Sequence, residues 1–487
     1  MKEVYNIRYG SVLKIFGWLM LLESLLLILP ALVCLIYGEE DWRAFLVSII
    51  STGAIGGIAA YCFRDNETHV HRREGYLLIS FVWVLFSAFG MLPFILGSPR
   101  LGVADAFFET MSGFTTTGAT VMTDVESQSH GILFWRSVIQ WIGGLGIVFF
   151  LIALLPALND SGGISLFNAE ITGVTHDKLH PRIRKTAMSL WAVYGGLTLL
   201  MIPLLAVGGM SVFDSICQAM TTMSTGGFST RNASIASWES PWIAGVVTVF
   251  MFVGGVNFIL VYNAVSGQWR QLWGNGVFRN YLVIVAAAFI LIAGSLLAVP
   301  GHGSYGEVTL AALFQISSSI TSTGLTYSNF AAWGTLPLMI IILLMMCGAC
   351  AGSTTGGIKV DRVAVLFKNI RNEIVLTLFP RHIKMVEFGK GVLSDSALIR
   401  VMAFITIYIL IVIAGALVMS GYGYTVTDSF FASASCMGNN GLGFGATGAG
   451  YGELPDPLMW LFSLEMLVGR LEIFTVLVLF YTPFWRK

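Results

Sequence analysis

Charged residues are scarce in this sequence. Only 11% of its 487 residues are Asp, Glu, Lys or Arg, and 56% are hydrophobic. A soluble globular protein has about 25% charged residues, so the composition indicates a polytopic membrane protein. The formal net charge is zero, which gives no reason to expect nucleic acid as a partner.

Catalytic motifs are also lacking. The sequence contains no HExxH, no GxSxG and no paired aspartates within an apolar run. An integral membrane enzyme is therefore disfavoured. A sodium-coupled symporter of another solute is a further alternative, but such folds have interrupted helices in corresponding positions of two halves, and that pattern is not found. Cys347 and Cys350 have metal or redox spacing, without a second pair or a nearby His, and they also fit as small packing residues.

Ten apolar runs are long enough to cross a bilayer, which requires about 20 helical residues. They are residues 12–37, 44–63, 76–97, 132–156, 187–208, 241–265, 281–300, 336–368, 398–420 and 458–484. The first run is too long for the core of a signal peptide, so it predicts a retained span. Four runs are too short to cross and are predicted to be re-entrant pore helices: 105–115, 213–223, 309–320 and 428–437.

The basic residues indicate the orientation. Most of the 27 Lys and Arg residues fall in alternate loops if both termini are cytoplasmic, as the positive-inside rule requires. The predicted fold is all-α, with four units of span, pore helix, filter loop and span around one pore. The predicted divisions are an N-terminal hairpin (1–75), four repeats (76–156, 187–265, 281–368 and 398–487) and two cytoplasmic linkers (157–186 and 369–397).

Each predicted pore helix leads into a polar turn that contains glycine. The turns are predicted at Thr116, Thr117 and Gly118; Ser224, Thr225 and Gly226; Ser322, Thr323 and Gly324; and Asn439, Asn440 and Gly441. All four fall on the outer side of the predicted topology. A single glycine would read equally well as a helix C-cap, whereas four in equivalent settings indicate one unit used four times.

The turns are candidates for ion binding. Irregular backbone at membrane depth is tolerated where it lines a watery cavity, and a ring of carbonyl oxygens can replace the hydration shell of a cation. The turns themselves contain no carboxylate, which favours a monovalent ion. Asp105, Asp214 and Asp428 are predicted to cap the pore helices, and Glu109 to add negative potential.

A second irregular stretch interrupts the predicted span 336–368. Residues 348–357 contain four glycines and three hydroxyl residues, so a continuous helix is disfavoured and a gate across the pathway is predicted. The alternative is a close helix-packing site. The predicted gate residues are Gly348, Gly352, Ser353, Thr354, Thr355, Gly356 and Gly357. Arg470 lies in the last span, where a charge needs a partner on another span or on this loop.

These motifs together resemble the Trk/Ktr/HKT superfamily of potassium transporters. The resemblance rests on the four-fold plan, the turns TTTGAT, STGGFS, TSTGLT and GNNGLG, the loop GACAGSTTGGIKVDR and the stretch GRLEIF. It covers essentially the whole chain. The two additional N-terminal spans and the length resemble the TrkH/TrkG type, the membrane subunit of the bacterial Trk system.

The resemblance implies potassium uptake across the bacterial inner membrane, with K⁺ as the permeating ion and no other bound cofactor. It implies a filter of backbone carbonyls at the four turns, a gate at residues 348–357 with Arg470, and potassium preference from glycine at Gly118. It also implies a homodimer and a cytoplasmic TrkA-like (RCK) regulatory ring that responds to ATP, ADP or NAD. The absence of an intramembrane proton relay favours a gated channel over coupled symport.

Overall fold

A computed structural model describes residues 7–66, 70–146, 183–299, 304–379, 386–388 and 391–486. The regular secondary structure of these residues is helical apart from one antiparallel pair, β1 Glu387–Phe388 and β2 Gly391–Val392. The α-helices, numbered in chain order, are α1 Tyr9–Leu26, α2 Ile28–Tyr37, α3 Trp42–Cys62, α4 Arg72–Gly90, α5 Leu92–Leu96, α6 Val103–Phe114, α7 His130–Leu145, α8 Ile183–Val207, α9 Val212–Met223, α10 Pro241–Gly254, α11 Phe258–Val265, α12 Trp269–Gly274, α13 Gly276–Ala298, α14 Tyr305–Ile320, α15 Thr335–Cys347, α16 Val360–Leu378, α17 Asp395–Gly421, α18 Val426–Met437, α19 Asp456–Arg470, α20 Ile473–Leu477 and α21 Thr482–Trp485. Short 3-10 helices lie at Ser234–Trp238, Phe330–Trp333, Gly445–Thr447 and Val478–Phe480.

Among the described residues, six helical segments without a sharp bend are long and apolar enough to cross a membrane. They are Tyr9–Tyr37, Trp42–Cys62, Arg73–Leu96, Ala187–Val207, Gly276–Ala298 and Asp395–Gly421. The first two form the predicted N-terminal hairpin, and the remaining four begin the four repeats. The prediction of an all-α polytopic membrane fold is therefore confirmed, and these six spans lie where the sequence predicts them.

The four short helices α6, α9, α14 and α18 match the predicted pore helices within a few residues. Each has an acidic residue at its third helical position: Asp105, Asp214, Glu307 and Asp428. The predicted capping role of the aspartates needs correction, because the capping hydroxyls belong to Ser211 and Thr425, which accept the N–H groups of Asp214 and Asp428. The acids instead lie in the first turn, where the helix dipole favours negative charge.

The second helix of the second, third and fourth repeats is interrupted, and this was predicted only for the third. Helix α7 ends before Gly146 at φ 88°, α15 ends before Gly348 at φ 68°, and α19 is followed by Glu472 at φ 61°. In the second repeat, α10 and α11 meet at a bend of 109°. The predictions of continuous spans over 241–265 and 458–484 are therefore wrong. Mostly apolar residues continue across the bend between α10 and α11, so hydropathy alone could not reveal that break.

The predicted linkers are only partly described. Residues 157–182 of the first linker lie outside the described residues, as does the end of the first repeat from residue 147. The second linker, predicted over 369–397, begins as helix instead, because α16 continues to Leu378.

Candidate functional site

The four pore helices end in the same backbone motif. Thr116, Thr225, Ser322 and Asn439 have φ values of 54°, 53°, 54° and 51°. The next N–H in each turn bonds five residues back: Thr117 to Ser112, Gly226 to Thr221, Thr323 to Ser318 and Asn440 to Ser435, at 2.8–2.9 Å. This is a Schellman cap, but its left-handed residue is not glycine in any copy. The left-handed conformation costs a residue with a side chain about 1–2 kcal/mol, so the turns are strained rather than relaxed caps.

A glycine follows two residues later and touches the next repeat. The φ values of Gly118, Gly227, Gly324 and Gly441 are 83°, 81°, 74° and 73°. A Cβ added to Gly118 would overlap the carbonyl oxygen of Gly226. The same overlap would occur between Gly227 and Thr323, between Gly324 and Asn440, and between Gly441 and Thr117. The four turns therefore form a closed ring in which each glycine lies against a carbonyl of the following turn.

The predicted alignment of the second turn is wrong by one residue. By conformation and contact, the equivalent residues are Thr225, Gly226 and Gly227, and not Ser224, Thr225 and Gly226. The sequence contains a signal that could have revealed this. Thirteen residues separate Asp105 from Gly118 and Asp428 from Gly441, and the same spacing from Asp214 ends at Gly227. Ten residues before the ring glycine, the pore helices have Phe108, Phe314 and Phe431 in three repeats and Cys217 in the second.

A cavity of about 150 Å³ opens directly onto this ring. All four positive-φ glycines line it, together with residues that follow each turn, such as Thr120, Ser229, Thr326 and Gly443. Its lining includes Arg136 and Arg231 and no carboxylate side chain from the described residues. In this cavity the ligands available to a cation are therefore oxygens of the backbone and of hydroxyl groups, and not a cluster of carboxylates.

Glu109 does not add the predicted negative potential, because a buried arginine neutralises it. Arg136 Nε donates to Glu109 Oε1 at 2.8 Å, and the two side chains are 2% and 0% exposed. The same carboxylate accepts the Thr120 hydroxyl and the Val121 N–H, while Arg136 also donates to the Ser229 carbonyl at 3.0 Å. The pair thus connects the loop segments that follow the first and second turns.

The ring positions are supported in different ways. At Thr117 and Thr323 the side-chain hydroxyls pair with those of Thr115 and Thr321, at 2.8 and 2.7 Å. Asn440 instead donates its amide to the carbonyl of Ser319 at 2.8 Å. Gly226 has no side chain, and Gln140 of α7 takes its place by donating to the Gly226 carbonyl at 2.6 Å. The sequence prediction missed Gln140, since it lies in an apolar span far from any turn.

The interrupting stretch 348–357 docks against the left-handed residues of the turns. Thr225 Oγ1 bonds Thr354 Oγ1 at 3.0 Å, and the Gly356 N–H donates to Ser322 Oγ at 3.2 Å. A Cβ on Gly356 would lie 2.8 Å from the Cβ of Asn439. The cavity touches the glycines of the turns, whereas this loop touches the preceding residues. The ring of turns therefore lies between the cavity and the loop.

Arg470 joins the loop to the first repeat. It donates to the carbonyl of Thr354 at 2.6 Å and to the carbonyls of Gly143 and Gly144 at 2.6 and 2.8 Å. The prediction that Arg470 has a partner on another span or on the loop is confirmed. A second cation, the buried Lys359, donates to the Thr355 carbonyl. Glu472, two residues beyond Arg470, accepts a hydrogen bond from the guanidinium of Arg362 at 2.6 Å.

Comparison with known proteins identifies relatives over the full length. A sequence model of the family described as "TrkH: Cation transport protein" matches residues 42–486. The Trk system potassium uptake protein TrkH of Escherichia coli K12 is 35% identical, over 99% of this chain and 100% of that protein. The Trk system potassium uptake protein TrkG of the same strain is also 35% identical, over 97% of each chain. The crystal structure of the potassium transporter TrkH from Vibrio parahaemolyticus matches with a TM-score of 0.89 at 31% identity, over 99% of this chain and 100% of that one.

The buried pair at the cavity yields a stability prediction. Replacing Arg136 by Leu leaves the carboxylate of Glu109 buried without its cation, which should lower the free energy of unfolding by about 3–5 kcal/mol. Arg231 is the matched control, because it also lines the cavity and pairs with acids but is 42% exposed. Its replacement by Leu should cost below about 1 kcal/mol. Thermal unfolding of the purified protein in detergent measures both, and equal losses would contradict this account of the Glu109–Arg136 pair.

Proposed function

Because this chain belongs to the TrkH family of cation transport proteins, we propose that it takes up potassium across the bacterial inner membrane. The observation that supports this proposal best is the closed ring in which four positive-φ glycines meet four carbonyls. Its relatives are named as potassium uptake proteins and not as enzymes. The proposed topology has both termini in the cytoplasm and the cavity at the ring on the outer side.

The ring has the chemistry that a dehydrated monovalent cation needs. Carbonyl oxygens are neutral ligands that can replace the hydration shell of K⁺. We assign the filter to Thr116, Thr117 and Gly118; Thr225, Gly226 and Gly227; Ser322, Thr323 and Gly324; and Asn439, Asn440 and Gly441. The carbonyls of Thr117, Gly226, Thr323 and Asn440 lie where the repeats meet. A divalent cation would be better served by carboxylates, and the described lining of the cavity has none.

The stretch 348–357 is proposed as the gate. Its contacts with Thr225 and Ser322 place it against the ring on the side away from the cavity. Lys359 and Arg470 add two positive charges there, which would oppose the passage of a cation while the loop is docked. Undocking would remove both the loop and its bond to Arg470. A gated, channel-like pathway is therefore favoured over proton- or sodium-coupled symport.

Partners complete the proposal. Two copies of this chain would form a homodimer. A ring of TrkA-like (RCK) nucleotide-binding regulatory subunits would control the gate from the cytoplasmic side. Helix α16 follows the loop directly and exposes an apolar stripe of Phe367, Ile370, Ile374 and Leu378 on one face. Such a stripe is suited to contact with another subunit. Because α16 is continuous with the loop, movement of this helix would pull on the gate.

A growth test addresses the ion and the ring together. In a bacterial host that lacks its own potassium uptake systems, the chain should restore growth at low potassium, and Gly118→Ala should abolish the rescue. The reason is that a Cβ at Gly118 would overlap the Gly226 carbonyl, on a backbone with φ 83°. Gly245→Ala is the control, since nothing lies within 4 Å of a Cβ there. Absence of rescue by the wild-type chain, with the protein present in the membrane, would refute potassium uptake.

The gate makes a separate prediction. Thr354→Val keeps the shape of the side chain but removes the hydrogen bonds of its hydroxyl to Thr225 and to the Gly254 carbonyl. Loss of one such bond is worth about 1 kcal/mol, so potassium flux into liposomes should rise roughly fivefold or more. Thr248→Val is the matched control, because the one partner of the Thr248 hydroxyl among the described residues is the carbonyl of Ala244 in the same helix. An unchanged or lower flux in Thr354→Val, at equal protein incorporation, would argue against a docked loop as the closed gate.

A further inference from the structure

Gln140 makes an unusual contact with the ring of turns. Its Nε2 donates to the carbonyl of Gly226 at 2.6 Å, and its Oε1 accepts the N–H of Phe228 at 3.0 Å. Both ends of the amide are therefore used, and reversing it would place like groups against each other. Among the described residues, the equivalent carbonyls of Thr117, Thr323 and Asn440 receive no such bond. The four-fold ring is thus asymmetric at one carbonyl.

The sequence of the second turn fits this contact. A Cβ on Gly226 would overlap the amide of Gln140, and no other group is as near. Gly226 is not among the residues with positive φ, so its backbone does not require glycine. In the first and third turns this position is Thr, and its hydroxyl pairs with a second threonine. The second repeat has therefore exchanged a side chain of the turn for an amide from α7 of the first repeat.

We propose that Gln140 is a positioning residue that fixes the Gly226 carbonyl and thereby sets discrimination against cations smaller than K⁺. The inference rests on the proposed function. A carbonyl oxygen has two lone pairs, so it can accept from Gln140 and still face an ion. A smaller cation needs the ligands to move inward, and a carbonyl tied to a buried amide resists that movement. Gln140 is 0% exposed, so water does not compete for the bond.

The first test compares ion preference rather than total flux. Gln140→Met retains length and apolar bulk but removes both hydrogen bonds. Loss of the bond to the Gly226 carbonyl alone should lower the ratio of potassium to sodium flux in liposomes roughly fivefold. Gln218→Met is the matched control, because Gln218 is also buried but, within the described part of the chain, its amide donates to Thr222 of its own pore helix and to no group of the ring. An unchanged ratio in Gln140→Met would overturn the inference, and a wild-type protein that carries no potassium would instead refute the proposed function.

The second test uses the space that the two residues share and needs no transport. Gly226→Thr alone should lower the melting temperature, because the new side chain would overlap Gln140. Adding Gln140→Ala should restore most of that loss, since it clears the space and re-creates the arrangement of the first and third turns. If Gly226→Thr is equally damaging with and without Gln140→Ala, the assigned contact is wrong. If the pair is rescued in stability while the flux ratio of Gln140→Met is normal, Gln140 is structural only.

Discussion

The structure depends on one contact repeated four times: the Cα of a glycine against the carbonyl oxygen of the next turn. At Gly118, Gly227, Gly324 and Gly441 any side chain would overlap that oxygen. Because each contact joins two repeats, the ring cannot be adjusted at one repeat without moving its neighbour. This interlocking holds the carbonyls in place without a covalent or ionic link, and the polar backbone of the turns is enclosed within helical protein.

The surrounding elements maintain the strain that this arrangement requires. Each turn includes a left-handed Thr, Ser or Asn, a conformation that persists only where neighbouring groups enforce it. The enforcing groups differ around the ring. Glu109 and Arg136 hold the exit of the first turn, Gln140 holds the second, and the loop contacts Thr225 and Ser322. The repeats are therefore alike in backbone and unlike in support, which allows one pathway to have both a symmetric centre and a one-sided gate.

Much of this architecture could be predicted from the sequence because it depends on composition and spacing. Hydropathy located the unbroken spans, and recurrence of the hydroxyl–glycine turns located the pore helices and the ring. Long-range side-chain contacts could not be predicted in this way. Glu109 was predicted to add negative potential, whereas it is paired with the buried Arg136. No sequence pattern distinguishes Gln140 from other polar residues within a span. The second turn has two adjacent glycines, and the local sequence pattern predicted Gly226 as the ring glycine. Contact with the Thr323 carbonyl shows that Gly227 has this position. The bend between α10 and α11 was hidden for a similar reason, because apolar residues continue across it.

The most direct test of this account is to locate the cation. Crystals grown with rubidium or thallium, which replace potassium and scatter anomalously, would give the position of the ion without reference to flux. The account predicts anomalous density on the axis enclosed by the carbonyls of Thr117, Gly226, Thr323 and Asn440, and its loss in the Gly118→Ala variant. Density confined to sites away from these four carbonyls, in a protein that transports potassium, would contradict it.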